Sequence, residues 1–564
     1  MRFLLLAAFA TSPLAAQATT PIIPQPDTKL PAKLAPRPTT QEITAADLMT
    51  RLYQFADDSM QGRRTGTAGH VKGTDYIARE VERLGFQPAG ENGTWFQTLP
   101  FVTRRVSDLS NLIAGGTALR YGTEWGSFAG QSVHLKDGGI VFGGVVDDSA
   151  RRIAPEAAAG KLVIALLGRT GYEGIGLAPT AFAGAVAVAL VLPDQVLEFV
   201  TRPTDMLNDT PTGEREPALL AVTGAGVQKL FPTPVTELTP GSEGKTVQLD
   251  LNVEMVPIEF PARNVVAILP GSDPALRGQY VAIGAHSDHV GFSNEPVDHD
   301  SLRIFNHIVR PGGAEDGGRQ ASRVQQARVN AELAAWRAAH PGTARPDSIS
   351  NGADDDGSGS MSVLEIAEKF AVASARPRRS LLFIWHVGEE EGLYGSKYFT
   401  DHPTVPRDSI VAQLNMDMVG RGDTWDVTGA TKDGAPLRGN PDYLQLVGSR
   451  RLSAELGDLA ETVNQEGGHA LSFDYAMDAN GHPMNIYCRS DHDSYARYGI
   501  PVIFFTTGGH SDYHQVTDEP QYINYDHMTR VDRFIADLLG RIANLDHRLK
   551  VDRPGLGPKA ACQQ

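Results

Sequence analysis

Cysteine is almost absent: Cys488 and Cys562 are the two in 564 residues. An all-thiolate structural zinc site needs four, so any metal this chain holds must rest mainly on His, Asp and Glu. Two cysteines in an exported protein are able to form one disulfide, although Cys562 sits in a Gly/Pro-rich tail. Net positive charge is absent too. The formal charge is −16, whereas binding to nucleic acid depends on clustered Lys and Arg, so no nucleic-acid partner is expected. Beyond the first residues no apolar run is long enough to span a bilayer, and no membrane partner is expected. No Gly-x-Ser-x-Gly elbow occurs, which argues against a serine hydrolase. Gly171-Tyr-Glu-Gly-Ile-Gly176 has the wrong glycine spacing for a dinucleotide fingerprint. Internal repeats are missing as well.

What remains is ordinary globular composition, 41% hydrophobic and 21% charged, at a length that calls for two or three domains. Met1-Arg-Phe-Leu-Leu-Leu-Ala-Ala-Phe-Ala10 followed by Ala15-Ala-Gln-Ala18 has the layout of a secretory signal peptide. Residues 1–18 are therefore read as a signal, residues 19–40 as a Pro/Thr-rich linker, and the mature protein as secreted or periplasmic. From residue 41 to 110 the pattern is helical, with Leu48, Leu52, Phe55 and Ala56 on one face and Tyr76, Ile77, Val81 and Leu84 on another. Between residues 111 and 252 short apolar runs punctuated by Gly, Pro and Asp predict a small β-rich domain.

Residues 253–546 alternate strand-like and helix-like runs, which predicts an α/β class with a mixed, mostly parallel sheet flanked by helices. Residues 294–350 interrupt that alternation with seven arginines, seven acids and no lysine. Two readings of this insert stay open: its arginines meet a substrate carboxylate, or they pair with the insert's own acids. Residues 547–564 form the tail.

The chemistry concentrates in five short clusters. Ala285-His286-Ser-Asp288-His289 ends one strand-like run, and Gly352-Ala-Asp354-Asp355-Asp356-Gly-Ser-Gly359 precedes a helix. Gly388-Glu389-Glu390-Glu391-Gly392 follows the apolar run Ser380-Leu-Leu-Phe-Ile-Trp385. Asn415-Met-Asp417-Met-Val-Gly420 ends another run, and Ser511-Asp-Tyr513-His514 follows the last. Open α/β sheets put their ligands at the carboxyl ends of strands, and buried acids must be paired or bound to metal. A two-metal site needs imidazoles, carboxylates and one shared acid. Glycines around Asp354–Asp356 allow the bend that sharing requires, zinc suits a mixed His/carboxylate set, and a spare glutamate is left for general base.

These motifs resemble the M28 family of co-catalytic zinc metallopeptidases, the secreted aminopeptidase type, with a zinc-exopeptidase fold. The resemblance spans roughly residues 264–545, with Gly62-Arg-Arg-Thr-Gly-Thr67 similar to that family's N-terminal segment. Residues near 111–252 resemble the protease-associated (PA) domain inserted in many relatives. The resemblance implies two zinc ions, with His286 and Asp417 on one, Glu390 and His514 on the other, and Asp355 bridging both. It implies Glu389 as general base, Asp288 as the carboxylate orienting His286, and Tyr513 as oxyanion donor. Asp356 is implied to join Asp355 through a cis peptide, and Glu391 to be a variable position. The implied function is an aminopeptidase acting on peptides. A carboxypeptidase or dipeptidase of the same fold, a one-zinc glutaminyl cyclase and a non-catalytic receptor are the alternatives.

Overall fold

The apolar runs become the strands of a nine-stranded sheet in a computed structural model. It describes residues 30–564 except 129–130, 170, 209–215, 342–343, 425, 556, 558–559 and 561. The 1–18 signal and the first part of the linker lie outside the described residues. The sheet comprises β1 (Gln87–Pro88), β2 (Phe96–Thr98), β3 (Arg263–Leu269), β4 (Tyr280–His286) and β5 (Ser380–His386). It continues with β6 (Ile410–Met416), β7 (Tyr443–Val447), β8 (Ser472–Asp474) and β9 (Val502–Thr506). Their order is β1-β3-β5-β4-β6-β9-β7-β8, with β2 on β3. The centre, β5-β4-β6-β9, is wholly parallel, while β1, β2 and β3 at one side and β7 on β9 pair antiparallel.

Both faces of this sheet are covered, which is why the central strands read as unbroken apolar runs rather than alternating ones. Leu381, Phe383 and Trp385 face a core shared with the helices Ala45–Phe55, Gly359–Ala371 and Tyr525–Asn544. Leu382 and Ile384 face the opposite core with Phe399, Tyr495 and Val502. In register, His286 lies beside His386, and Asn415 beside Phe504. The carboxyl ends of the four parallel strands therefore finish side by side.

The chain up to Thr98 and Ala262–Gln564 make one compact unit, and Leu99–Pro261 another. The second contains a five-stranded sheet with a parallel core, Ala218–Val222, Ala187–Val191, Leu162–Leu166 and Ile140–Val145, plus a four-stranded antiparallel sheet and a three-stranded one. The insert is framed by its own antiparallel ribbon, Gly291–Asp298 with Pro346–Ser350. Within it, helices His299–Val309 and Arg323–Ala339 pack around Ile308, Val309 and Val329. Ser322 and Gln325 form a capping box that fixes the start of the second helix. Cys488 and Cys562 are joined in a disulfide, which ties the C-terminal tail to the turn before Arg489.

Candidate metal centre

Four of the site side chains stand at or just past the ends of parallel strands. His286 is the last residue of β4, Asp417 directly follows β6, and Glu389 and Glu390 follow β5 after one glycine turn. The loop bearing Asp355 folds back on itself. Gly352 has φ +54°, and a Cβ there would sit 2.2 Å from the Asp355 carbonyl oxygen, so only glycine fits. Asp518 holds the same loop, its carboxylate accepting from the N–H groups of Asp354 at 3.0 Å and Asp355 at 3.1 Å. The Asp355–Asp356 peptide is cis. Asp356 itself is occupied: its oxygens accept from the N–H groups of His286, Gly359 and Met418. It serves as a clasp between motifs, and one of its oxygens also lies within 4.8 Å of ligand atoms of His286 and Asp417.

The two oxygens of Asp355 point to different imidazoles. Oδ1 lies 3.1 Å from His286 Nε2, and Oδ2 lies 2.9 Å from His514 Nε2. Asp417 Oδ1 is 3.7 Å from His286 Nε2, and Glu390 Oε2 is 2.8 Å from His514 Nε2. Ligand atoms of His289, Asp355, Glu390 and His514 form one group within 4.8 Å and those of His286, Asp356 and Asp417 another, with Asp355 reaching His286 as well. His286 Nε2, His514 Nε2 and Asp355 Oδ2 are buried without a hydrogen-bond partner despite these short distances. Buried polar atoms are nearly always hydrogen-bonded; lone pairs that converge without hydrogen-bond geometry fit a cation between them. The donor set, imidazole nitrogen and carboxylate oxygen, fits zinc.

The electrostatics agree. Burial disfavours charge on His286, yet Glu389, Asp355 and Asp417 raise its pKa well above the ordinary value. For His514 burial again opposes, but Asp355 and Glu390 push the pKa up to about 10. The carboxylates thus favour positive charge at the point where they converge on the two imidazoles. Enclosure raises the Glu389 carboxyl, with Asp417, Glu390 and Asp491 adding in the same direction and His286 opposing. Enclosure and the carboxylates of Asp355, Glu390 and Glu389 raise the Tyr513 phenol, which stays a proton donor. Its ring stacks on His514, with centroids 4.0 Å apart.

Asp355, Glu389, Asp417 and Tyr513 line one cavity of about 410 Å³, whose lining also includes Met418, Met477, Met484, Ile486 and Phe504. All eight residues singled out in the sequence therefore meet at this strand-end cluster. Asp288 differs in detail. His286 Nδ1 is 3.2 Å from the Asp288 backbone oxygen and 3.8 Å from its carboxylate. That carboxylate accepts instead from the N–H groups of Glu389 and Glu390, because the turn after β5 brings two free donors to it.

Sequence reasoning missed four supports. His289 donates or accepts through Nδ1 at 2.7 Å from Glu390 Oε1; its place in the first motif was the available signal. Ser490 donates to Asp417 Oδ2 at 2.6 Å. Asp518 fixes the bridging loop as described. Arg63, fully buried, donates to the carbonyls of Phe55, Ser287, Asn351 and Gly352 and so clamps the first and second motifs together.

Peptidase family M28 matches residues 264–539. A probable leucine aminopeptidase of Arthroderma benhamiae is 28% identical over 200 residues, 34% of this chain and 47% of its own length. Leupeptin-inactivating enzyme 1 of Streptomyces exfoliatus is 43% identical over 77 residues, 13% of this chain and 18% of its own length. The chain thus spans less than half the length of these curated relatives. Among solved structures, an aminopeptidase from Aneurinibacillus sp. strain AM-1 aligns with a TM-score of 0.47 at 16% identity, covering 91% of this chain and 97% of that one. The five motifs stand in order inside residues 264–539, the segment of this chain that matches peptidase family M28.

Proposed function

We propose that the protein is an exported metallo-aminopeptidase that removes N-terminal residues from peptides, holding two zinc ions across Asp355. The observation that carries this reading is the bridging carboxylate, one oxygen toward His286 and the other toward His514. His286 and Asp417 complete one site, and Glu390 and His514 the other. Zinc bound there supplies a Lewis acid for the scissile carbonyl and brings the pKa of a water near neutrality. Glu389 takes the proton of the attacking water and returns it to the leaving amine. Tyr513, held protonated, donates to the developing oxyanion. Asp288 positions the Glu389–Glu390 turn through its two N–H contacts, and His289 orients Glu390, as outer partners of metal ligands do.

The apolar wall of Met418, Met477, Met484, Ile486 and Phe504 suits an apolar N-terminal side chain. Export is supported by the Cys488–Cys562 disulfide, a bond that persists in oxidising compartments. Among the described residues no helix is long and apolar enough to cross a membrane. The unit Leu99–Pro261 is read as the PA-like domain, with boundaries wider than the 111–252 expected from sequence.

The test is hydrolysis of aminoacyl-anilides, N-blocked peptides and dipeptides by purified protein, with chelator and after zinc is restored. Cleavage of apolar aminoacyl-anilides and dipeptides, lost on chelation and regained with zinc, is expected. Release of C-terminal residues from N-blocked peptides would overturn the aminopeptidase reading in favour of a carboxypeptidase. No turnover by zinc-loaded protein would favour a receptor.

A further inference from the structure

Four of the insert's seven arginines pair within the insert. Arg319, Arg328, Arg337 and Arg345 pair with Asp316, Glu332, Asp298 and Asp300, all acids of the same segment. Arg303 lies over the Tyr522 ring, 3.8 Å from Asp512. An insert acid, Glu315, also reaches beyond the segment and accepts from an arginine outside it, Arg489. Both line the cavity that holds Asp355, Glu389, Asp417 and Tyr513.

Each partner is carried by a fixed support. The Ala314 N–H donates to the Tyr513 carbonyl at 3.1 Å. Gly313, at φ +58°, comes so close that a Cβ would lie 2.6 Å from that same oxygen. Glu315 therefore hangs from the loop that carries Tyr513 and His514. Arg489 follows the turn Ile486–Cys488, whose cysteine is disulfide-bonded, and precedes Ser490, which donates to Asp417. The pair joins these supports at the edge of the cavity, and both side chains remain about 40% exposed.

We propose that Arg489 is the carboxylate-recognition residue of this site and that Glu315 is its built-in placeholder, so that the preferred substrates are short peptides with an apolar N-terminal residue and a free carboxylate. This rests on the peptidase reading given above. A guanidinium fork matches a carboxylate, and Glu315 displays the group that this fork accepts. Exchange of one carboxylate for another leaves the local charge unchanged. A half-exposed ion pair is also held weakly enough to be displaced, with Glu315 swinging into water. One residue spans at most about 3.3–3.6 Å, so a dipeptide places its carboxylate one residue from the scissile bond, inside the cavity that Glu389 and Arg489 both line. Arg319, the other arginine of the cavity wall, is held by Asp316 from within its own turn, 3.2 Å away.

The experiment compares kcat/KM for an apolar dipeptide and its C-terminal amide, with an apolar aminoacyl-anilide measured alongside, in wild type and in Glu315→Gln, Arg489→Lys and Arg489→Gln. Zinc content is measured for each. The wild type is expected to prefer the free acid by about tenfold, the lower end for a hydrogen bond to a charged group in the face of a competitor. Glu315→Gln should widen that preference through a lower KM. Arg489→Lys should narrow it, and Arg489→Gln should abolish it. An acid-to-amide ratio near one in the wild type that Glu315→Gln leaves unchanged overturns the proposal and identifies the pair as a structural clamp. If zinc-loaded wild type fails on the anilide as well, it is the peptidase reading that falls. Should either arginine variant lose zinc or fail to fold, the wild-type and Glu315→Gln ratios still decide.

Discussion

Replacing Glu389 by glutamine separates the base from the ligands. The three consecutive glutamates have different surroundings. Glu390 faces His514 and His289. Glu391 accepts from the Thr65 hydroxyl at 2.7 Å and lies 3.9 Å from Arg64, whereas Glu389 lines the cavity with Asp355 and Asp417. Glutamine keeps the length of Glu389 and its N–H contact to Asp288 at 3.3 Å, and leaves the Glu390 contacts alone, so zinc content should hold. What disappears is the proton acceptor, typically worth about 10²–10⁴-fold, or about 3–5 kcal/mol of barrier. Glu391→Gln weakens a partly exposed interaction worth about 0–1 kcal/mol, less than about fivefold in rate. Saturating kcat on an aminoacyl-anilide, with zinc measured on the same samples, is the assay. A dead Glu391→Gln beside an active Glu389→Gln would shift the motif register by two residues and take the ligand assignment with it. A Glu389→Gln enzyme that keeps full zinc and more than about a tenth of wild-type rate would refute the base assignment.

Asp355→Asn should lower affinity at both zinc sites, whereas His286→Ala should weaken one; zinc titration followed by thermal melting would show it, since a ligand at about 100 times its Kd adds roughly 2.7 kcal/mol to stability. Equal stoichiometry in both variants would argue against bridging. The disulfide closes a separation of 74 residues, for which the chain-entropy estimate is about 4 kcal/mol; reductant should lower Tm in the wild type and have no effect on Cys488→Ser/Cys562→Ser. Arg51 is buried against Glu365 at 2.8 Å, Glu80 at 3.2 Å and Glu368, so Arg51→Met should cost about 3–5 kcal/mol by stranding buried carboxylates. Chemical denaturation showing less than about 1 kcal/mol would mean that those acids find other partners or take up protons.

The candidate metal residues were legible because a parallel sheet turns local sequence into spatial convergence. An apolar run long enough for a buried strand fixes where that strand ends, and neighbouring parallel strands end at the same edge. His286, Glu389, Glu390 and Asp417 could therefore be placed together without knowledge of any side-chain contact. Pairings across long separations have no such signature. Arg63 reaches the Asn351 and Gly352 carbonyls from 288 and 289 residues away, and its own neighbourhood, Gly62-Arg-Arg-Thr-Gly-Thr67, resembles the family's N-terminal segment without pointing to those partners. The insert shows the same limit. Equal numbers of arginines and acids made internal pairing arithmetically possible, but composition cannot say which acid is left over for another partner. Glu315 is the one that reaches Arg489, 174 residues on. It does so because a glycine at positive φ lets its turn lie directly on the Tyr513 backbone. The proposed substrate selectivity thus rests on a contact that no local pattern encodes, while the candidate metal residues beside it stand in five short motifs.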